Sequence, residues 1–188
     1  MLNQIADLIV NSLLGLIVYL GLLRFYLQAF RAPFRNPVGQ FVMTFTDWGV
    51  QPLRKFVPGF RGMDLSSLVF AFLAQLALFA VLFYLLMPSG APSPNVLEWL
   101  VLTLLELVRK SLHLLFAVVI VDVILSWVNP QTPFAPVLCS VTRPMYGFFR
   151  RFIPPVGGFD LAPIFVILAI QIGFIVLNGL QSQLMRVL

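Results

Sequence analysis

The chain has 188 residues, 60% of them hydrophobic and 10% charged, with a mean hydropathy of +0.98. A soluble domain carries about 25% charged residues, so this composition excludes a water-exposed globule and makes lipid the solvent for much of the surface. The net charge of +5 would raise nucleic acid as a partner in a soluble chain; here the cations flank apolar runs, where anionic lipid headgroups are the counter-charge, and no nucleic-acid partner is expected.

A bilayer core needs about 20 apolar residues per helix. The first predicted span runs from about Leu8 to Phe30 and contains Asn11, Ser12 and Arg24. The N-terminus has no Lys or Arg before this run and carries Asp7, a poor leader region, so the span reads as a retained helix. Next comes a basic segment with Arg31, Arg35, Arg54, Lys55 and Arg61. Within it Val38, Phe41, Val42, Phe45, Trp48, Leu53 and Phe56 oppose Gln40, Thr44, Asp47, Gln51 and Arg54, the pattern of an amphipathic helix in the membrane interface. The second span, Leu65 to Met87, has no charge and ends at a Pro88 to Pro94 turn.

An apolar stretch begins again near Val96, but Glu106, Arg109, Lys110 and His113 interrupt it. The third span is therefore placed at Leu112 to Val128, with residues 95–110 as a surface helix or an extension. A second basic segment follows with Arg143, Arg150 and Arg151, and Val137, Leu138, Val141, Met145, Phe149 and Phe152 give it an apolar stripe. Pro52 and Pro144 would bend or shorten the two interfacial helices. The fourth span, Leu161 to Leu180, is apolar apart from Gln171 and Asn178. Cytoplasmic loops collect Lys and Arg, so both basic segments are expected in the cytoplasm and both termini outside; Arg109 and Lys110 are the residues that run against this.

Shifted by 96 positions, the chain matches itself. LRKFVPGFRGMDL (Leu53–Leu65) aligns with FRRFIPPVGGFDL (Phe149–Leu161), and the register extends to Gln75/Gln171 and back to Pro37/Pro133. The shared basic pair, Pro, Gly and Asp are not explained by hydrophobicity, and they divide the chain into parallel repeats at 1–90 and 91–188. The expected fold is all-α: four transmembrane helices as two parallel repeats, each with a cytoplasmic-side amphipathic interfacial helix.

The repeated residues supply the candidate sites. Asp64 and Asp160 stand just before a span and can cap it. Gly62 and Gly158 permit a tight turn, and Pro58 and Pro154 stop the preceding helix. Arg54-Lys55 and Arg150-Arg151 fall at phosphate depth, as topology signals and as contacts for anionic lipid or a partner. Gln75 and Gln171 lie on the aspartate face, roughly 16 Å deeper, and are expected to face protein. Arg24 and Asp122 occupy corresponding places in spans one and three, once two residues of loop are allowed for. Either they pair inside the bundle and join the modules, or Arg24 snorkels to the surface while Asp122 bonds locally. The Asp64/Gln75 and Asp160/Gln171 faces could line an ion path, but caps and interhelical hydrogen bonds are the preferred reading.

Chemistry has little support. Cys139 is the only cysteine and reads as packing; His113 is the only histidine, with no second imidazole or thiolate at ligand spacing. No cofactor or metal is expected, and nothing resembles a phosphate-cradling loop or a nucleophile with its base.

The doubled basic-pair, Phe, Ile/Val-Pro, Gly, Asp-Leu block, each copy flanked by spans, resembles the bacterial YggT (YlmG-like) integral membrane family. The second copy, with Asp122-Val-Ile-Leu-Ser-Trp, Asn-Pro, Arg143-Pro144 and FRRFIPPVGGFDLAP, is the closer match. The family usually has Arg before its Val-Ile-Leu-Ser-Trp run; this chain has Arg24 in copy one, Asp122 in copy two, and no Ser-Trp pair in copy one. The resemblance implies no catalysis. It implies links to osmotic and potassium homeostasis, to division or nucleoid organisation, and, in plastid relatives, to cytochrome b6 assembly. The expectation is a non-enzymatic protein of the bacterial inner membrane that works through protein or lipid contacts, with a membrane-protein partner or a second copy of itself. A part in ion or osmolyte transport is the alternative.

Overall fold

The computed structural model describes residues 1–59, 62–86, 94–129, 131–153 and 160–187. Arg61, Met87, most of the 88–94 turn, Pro154 and Gly158 lie outside the described residues. The described chain folds into six helices and no strands: α1 (Leu2–Ala29), α2 (Pro37–Leu53), α3 (Leu65–Leu86), α4 (Val96–Val128), α5 (Ala135–Arg150) and α6 (Ala162–Val187). The four longest, α1, α3, α4 and α6, are long and apolar enough to span a membrane. Their outer faces carry Leu13, Leu16, Leu73, Leu100, Leu104, Ile172 and Ile175, all exposed. Such a surface is stable in lipid and not in water.

Local chemistry sets the ends. α1 starts earlier than expected, at Leu2, and within it Asn11 donates to Asp7 one turn back, at 2.8 Å. It ends in a Schellman turn, with Ala32 N–H on Leu27 O and Arg31 N–H on Gln28 O. Arg31 sits there at φ 53°, a place usually held by glycine. Asn36 caps α2 by accepting from Gly39 N–H at 2.8 Å, with Pro37 in the first turn. Asn95 and Glu98 form a reciprocal capping box at the start of α4. Pro58 follows the end of α2, and Gly62 takes φ 85° in the turn into α3. Pro52 and Pro144 both lie inside helices, the first close to the end of α2.

Of the two readings of residues 95–110, the extension holds and the separate surface helix does not. α4 is one continuous helix of 33 residues, about 50 Å at 1.5 Å per residue, and has no break before Leu112. It holds no Gly or Pro between Val96 and Val128, and its charges find partners: Arg109 pairs with Glu106 at 3.4 Å and bonds Gln181 of α6, while Lys110 lies over the Tyr19 ring of α1. α6 likewise continues beyond Leu180, where Gln181 meets Arg109.

α1 packs along α3 and α4 packs against α6, while α3 and α1 both touch α4. Gly21 allows the first of these approaches, since a Cβ there would lie 3.1 Å from Ala71 Cβ. α2 lies against α1 and α3; α5 lies against α4, α6 and α1. One core cluster joins Leu20 and Leu27 of α1 to Val42 of α2 and to Val137 and Val141 of α5. α2 buries Val42, Thr46 and Val50 and leaves Phe41, Phe45 and Trp48 outward.

Candidate functional site

Two polar regions are built into this apolar scaffold. The first lies where α1 meets α2 and the start of α3. Arg24 is 2% exposed. Its guanidinium donates to Thr46 Oγ1 and to Asp47 Oδ1, both at 2.7 Å, and its Nε is 3.9 Å from Asp64 Oδ2. Arg54 and the Ser67 hydroxyl donate to Asp64 at 2.6 and 2.7 Å. Burial works against the Asp64 carboxylate, but Arg54, Ser67 and the Arg24 charge together hold its pKa below the ordinary value. Arg24 therefore neither pairs with Asp122 nor snorkels to the surface. Its partners come from α2 and α3, which fold back over the end of α1.

Asp64 was expected as a helix cap, yet its carboxylate is held by Arg54 and Ser67. Asp160 does cap: its Oδ1 accepts from Ala162 N–H at 2.9 Å, while Arg150 donates to Oδ2 at 3.0 and 2.5 Å. These bonds outweigh partial burial and lower the Asp160 pKa. Arg54–Asp64 and Arg150–Asp160 are thus the same ion pair, ten residues apart each time. The headgroup reading of Arg54 and Arg150 is modified accordingly: each spends part of its guanidinium on an aspartate and remains half-exposed. Lys55 and Arg151 are exposed.

Beside Arg150 the arrangement opens. A cleft of about 820 Å³ lies among α4, α5 and α6, lined by Asp122, Thr142, Arg143, Tyr146, Arg150 and Asp160, with Trp127, Leu161 and Ile164 on its walls. Asp122 and Arg143 form no salt bridge among the described residues. Tyr146 is 6% exposed, and its hydroxyl makes no hydrogen bond of ordinary geometry. Burial, reinforced by the neighbouring carboxylates of Asp122 and Asp160, pushes its pKa up, so it stays a neutral donor. Cys139 also lines this cleft and is exposed, contrary to the packing role expected of it.

The second polar region is at the far end of α1. A cavity of about 340 Å³ is bounded by Asn11, Gln75, Glu106 and Lys110 with Leu78, Phe79 and Phe83. Gln75 is 3% exposed and faces protein, with its Oε1 lacking a donor. Gln171 is exposed on α6, so the chain itself does not cover it. The two glutamines, alike in sequence, are separated in surroundings. His113 lies against the Phe174 ring with Nδ1 3.0 Å from Arg109 O. No group of three or more His, Cys, Asp or Glu comes together as a metal site among the described residues.

Helix order, buried arginine and the doubled Arg–Asp pair can be set beside known proteins. The CCB3/YggT family model matches residues 3–85 and again 101–181. The chain belongs to the CCB3/YggT family. Among curated relatives, the chain is similar to a Pseudomonas aeruginosa protein named "Uncharacterized protein PA0392", with 39% identity over 97% of the chain and 93% of the relative. A Vibrio alginolyticus protein is 35% identical over 87% of the chain and 88% of its own length. Escherichia coli K12 YggT is 29% identical over 87% of the chain and 84% of the relative. No solved structure matches. Family membership agrees with the membrane-spanning reading of α1, α3, α4 and α6.

Arg24, Asp122, Gln75 and Gln171 were singled out from the sequence; the partner role of Asp47 and Thr46, and Tyr146 altogether, were missed. Asp47 was hidden on what looked like the solvated face of α2, and Thr46 had been assigned to neither face. The signal available was the charge reversal between Arg24/Asp47 and Asp122/Arg143 in aligned positions.

Proposed function

We propose that this CCB3/YggT family member is a non-enzymatic, multi-pass protein of the bacterial inner membrane that acts through contacts with protein or lipid, as an assembly, stress-response or division factor. The chain is read as two parallel repeats, 1–90 and 91–188, with α2 and α5 as amphipathic helices in the interface, the basic segments in the cytoplasm and both termini outside. The recurrence of a long, a shorter and a long helix, and of the Arg–Asp pair, supports the repeat. The clustering of Arg31, Arg35, Arg54, Lys55, Arg143, Arg150 and Arg151 supports the orientation.

Gln171 carries the functional reading. It lies mid-span on α6 among the exposed Leu168, Ile172 and Ile175, and an amide left in hydrocarbon is costly. A partner that meets its hydrogen bonds removes that cost. A photo-crosslinking residue placed at 171 in cells is expected to yield a discrete protein adduct. The same probe at Leu73, on an apolar outer face, should meet lipid. Equal absence of protein adducts at both sites would remove the protein-contact reading.

The cavity beside Gln75 favours a second reading, as a component of potassium or osmolyte transport. Purified protein in liposomes would then pass potassium and lose the flux on Gln75→Leu. A tight, unchanged liposome rejects it.

A further inference from the structure

The two halves treat the same polar positions differently. At the end of α1, Arg24, Thr46 and Asp47 close on each other, and Val50 fills the next turn of α2 without a polar atom. Ninety-eight and 96 positions later stand Asp122, Thr142, Arg143 and Tyr146, with the charges exchanged. They do not close. Asp122 and Arg143 form no salt bridge, and the buried Tyr146 hydroxyl, beside the Asp122 carboxylate and Thr142 but in no bond of ordinary geometry, stands at the edge of an open cleft of about 820 Å³.

A physical reason is visible. Gly21 lets α1 approach α3, whereas 98 positions on stands Val119, fully buried against Ala162, Val166 and Ile170. Where the first half has the bare Cα of Gly21, the second has an isopropyl group filling the α4–α6 contact. The cleft is therefore built into the packing.

Its chemistry specifies an occupant. Asp122, on a span and half-buried, accepts hydrogen bonds and attracts a cation. Arg143 and the free edge of Arg150, at the level of the interfacial helix, bind a phosphate. The Tyr146 hydroxyl supplies one more donor. Trp127, Leu161 and Ile164 give the cleft an apolar margin suited to glycerol and acyl chains. A ligand of this volume class with an ammonium, a phosphate and an apolar tail carries a chemical complement to each of these groups.

We infer that the cleft among α4, α5 and α6 is a binding site for a phospholipid with a primary-ammonium headgroup, its ammonium on Asp122 and its phosphate on Arg143 and Arg150. The site deepens the lipid-contact part of the proposed function and rests on it. It is independent of the protein contact at Gln171. The N–H donors of a primary ammonium distinguish it from a choline headgroup, which can only be attracted electrostatically. The second charge distinguishes it from phosphatidylglycerol.

The lone thiol reports occupancy directly, because Cys139 lines the cleft. Full-length protein in detergent is titrated with phosphatidylethanolamine, phosphatidylcholine or phosphatidylglycerol, with maleimide labelling of Cys139 followed and retained lipid weighed by native mass spectrometry. Phosphatidylethanolamine is expected to slow labelling and to be retained with about tenfold preference, the worth of one charge-assisted hydrogen bond. Asp122→Asn should abolish the preference, and Arg143→Gln should weaken retention. Gly179→Ala, at the other end of α6 with nothing within 4 Å of the added carbon, should leave both readouts unchanged. Equal retention of the three lipids overturns the site, as does preference intact in Asp122→Asn. Protection by soluble phosphoethanolamine but by no lipid would assign the cleft to a soluble ligand and overturn the lipid assignment. Loss of the Gln171 crosslink with lipid preference intact would overturn only the protein contact.

Discussion

Arg24 Nη1 lies 2.7 Å from Asp47 Oδ1, and the arginine side chain is 3% exposed while the aspartate is 38% exposed. A guanidinium at such depth must have its charge met on the spot. Arg24→Ala would leave Asp64 with Arg54 as its one nearby cation, beside the Ser67 hydroxyl, and Asp47 without its partner. Loss of one member of a buried pair costs about 3–5 kcal/mol. The thermal midpoint in detergent should fall sharply for Arg24→Ala and less for Asp47→Ala, since water can reach the aspartate. Equal small losses would mean that the pair is not a structural element.

The aligned residues Asp122 and Arg143 carry the reverse charges and stay apart. Asp122→Arg alone would put like charges across the cleft, and so would Arg143→Asp alone. Together the two substitutions reproduce the first half's arrangement and should close the cleft. The double mutant is expected to recover at least about 1 kcal/mol relative to the sum of the single losses, a coupling of ordinary size for side chains in contact. It should also lose retention of phosphatidylethanolamine. Additive losses in the unfolding cycle would show that the two positions do not meet.

The four spans were legible because about 20 apolar residues in a row mark a membrane helix whatever surrounds them. What surrounds them was the part left unread. Glu106, Arg109 and Lys110 looked like a break in α4, because their partners Tyr19 and Gln181 stand on other helices and only packing brings them near. Arg54 and Asp64 were both recognised, one as a headgroup contact and one as a cap. Their pairing spans a ten-residue turn, with none of the three- or four-residue spacing that signals helical neighbours. Gln75 and Gln171 occupy the same aligned position, and only one is buried. Sequence alignment conveys what a residue is, whereas helix packing decides what it touches.

Acid should act through Asp64. Its pKa is lowered in the folded protein from an ordinary 3.8, so the stabilisation is fully present above that value and is lost as pH falls through the folded one. The thermal midpoint is expected to hold from neutrality to about pH 5 and to decline below about pH 4. Asp160, more exposed and also lowered, adds a smaller share. Asp64→Asn should reduce stability at neutral pH and flatten the acid limb. A limb of unchanged slope in that variant would assign acid sensitivity to other carboxylates.

Glycine content at the α1/α3 contact offers a further test. A Cβ at Gly21 would meet Phe70 Cδ1 at 3.1 Å and Ala71 Cα at 3.3 Å, and the second of these is backbone, which cannot rotate aside. A Cβ at Gly49 would fall 2.2 Å from Phe70 Cε2. Gly21→Val, the residue found 98 positions later, should therefore drive α1 from α3 and cost about 1–3 kcal/mol, as overpacking does. Because Arg24 lies one turn along on α1, the same shift should loosen its bond to Asp47 and open in the first half a cleft like that of the second. Gly147→Ala and Gly179→Ala are the matched controls, with nothing within 4 Å of the added carbon. Their helix propensity should make them neutral or stabilising by up to about 1 kcal/mol. Hydrogen exchange at Leu22 to Phe25 checks the outcome: faster exchange in Gly21→Val alone fits the packing argument, and equal exchange in all three variants would dismiss it.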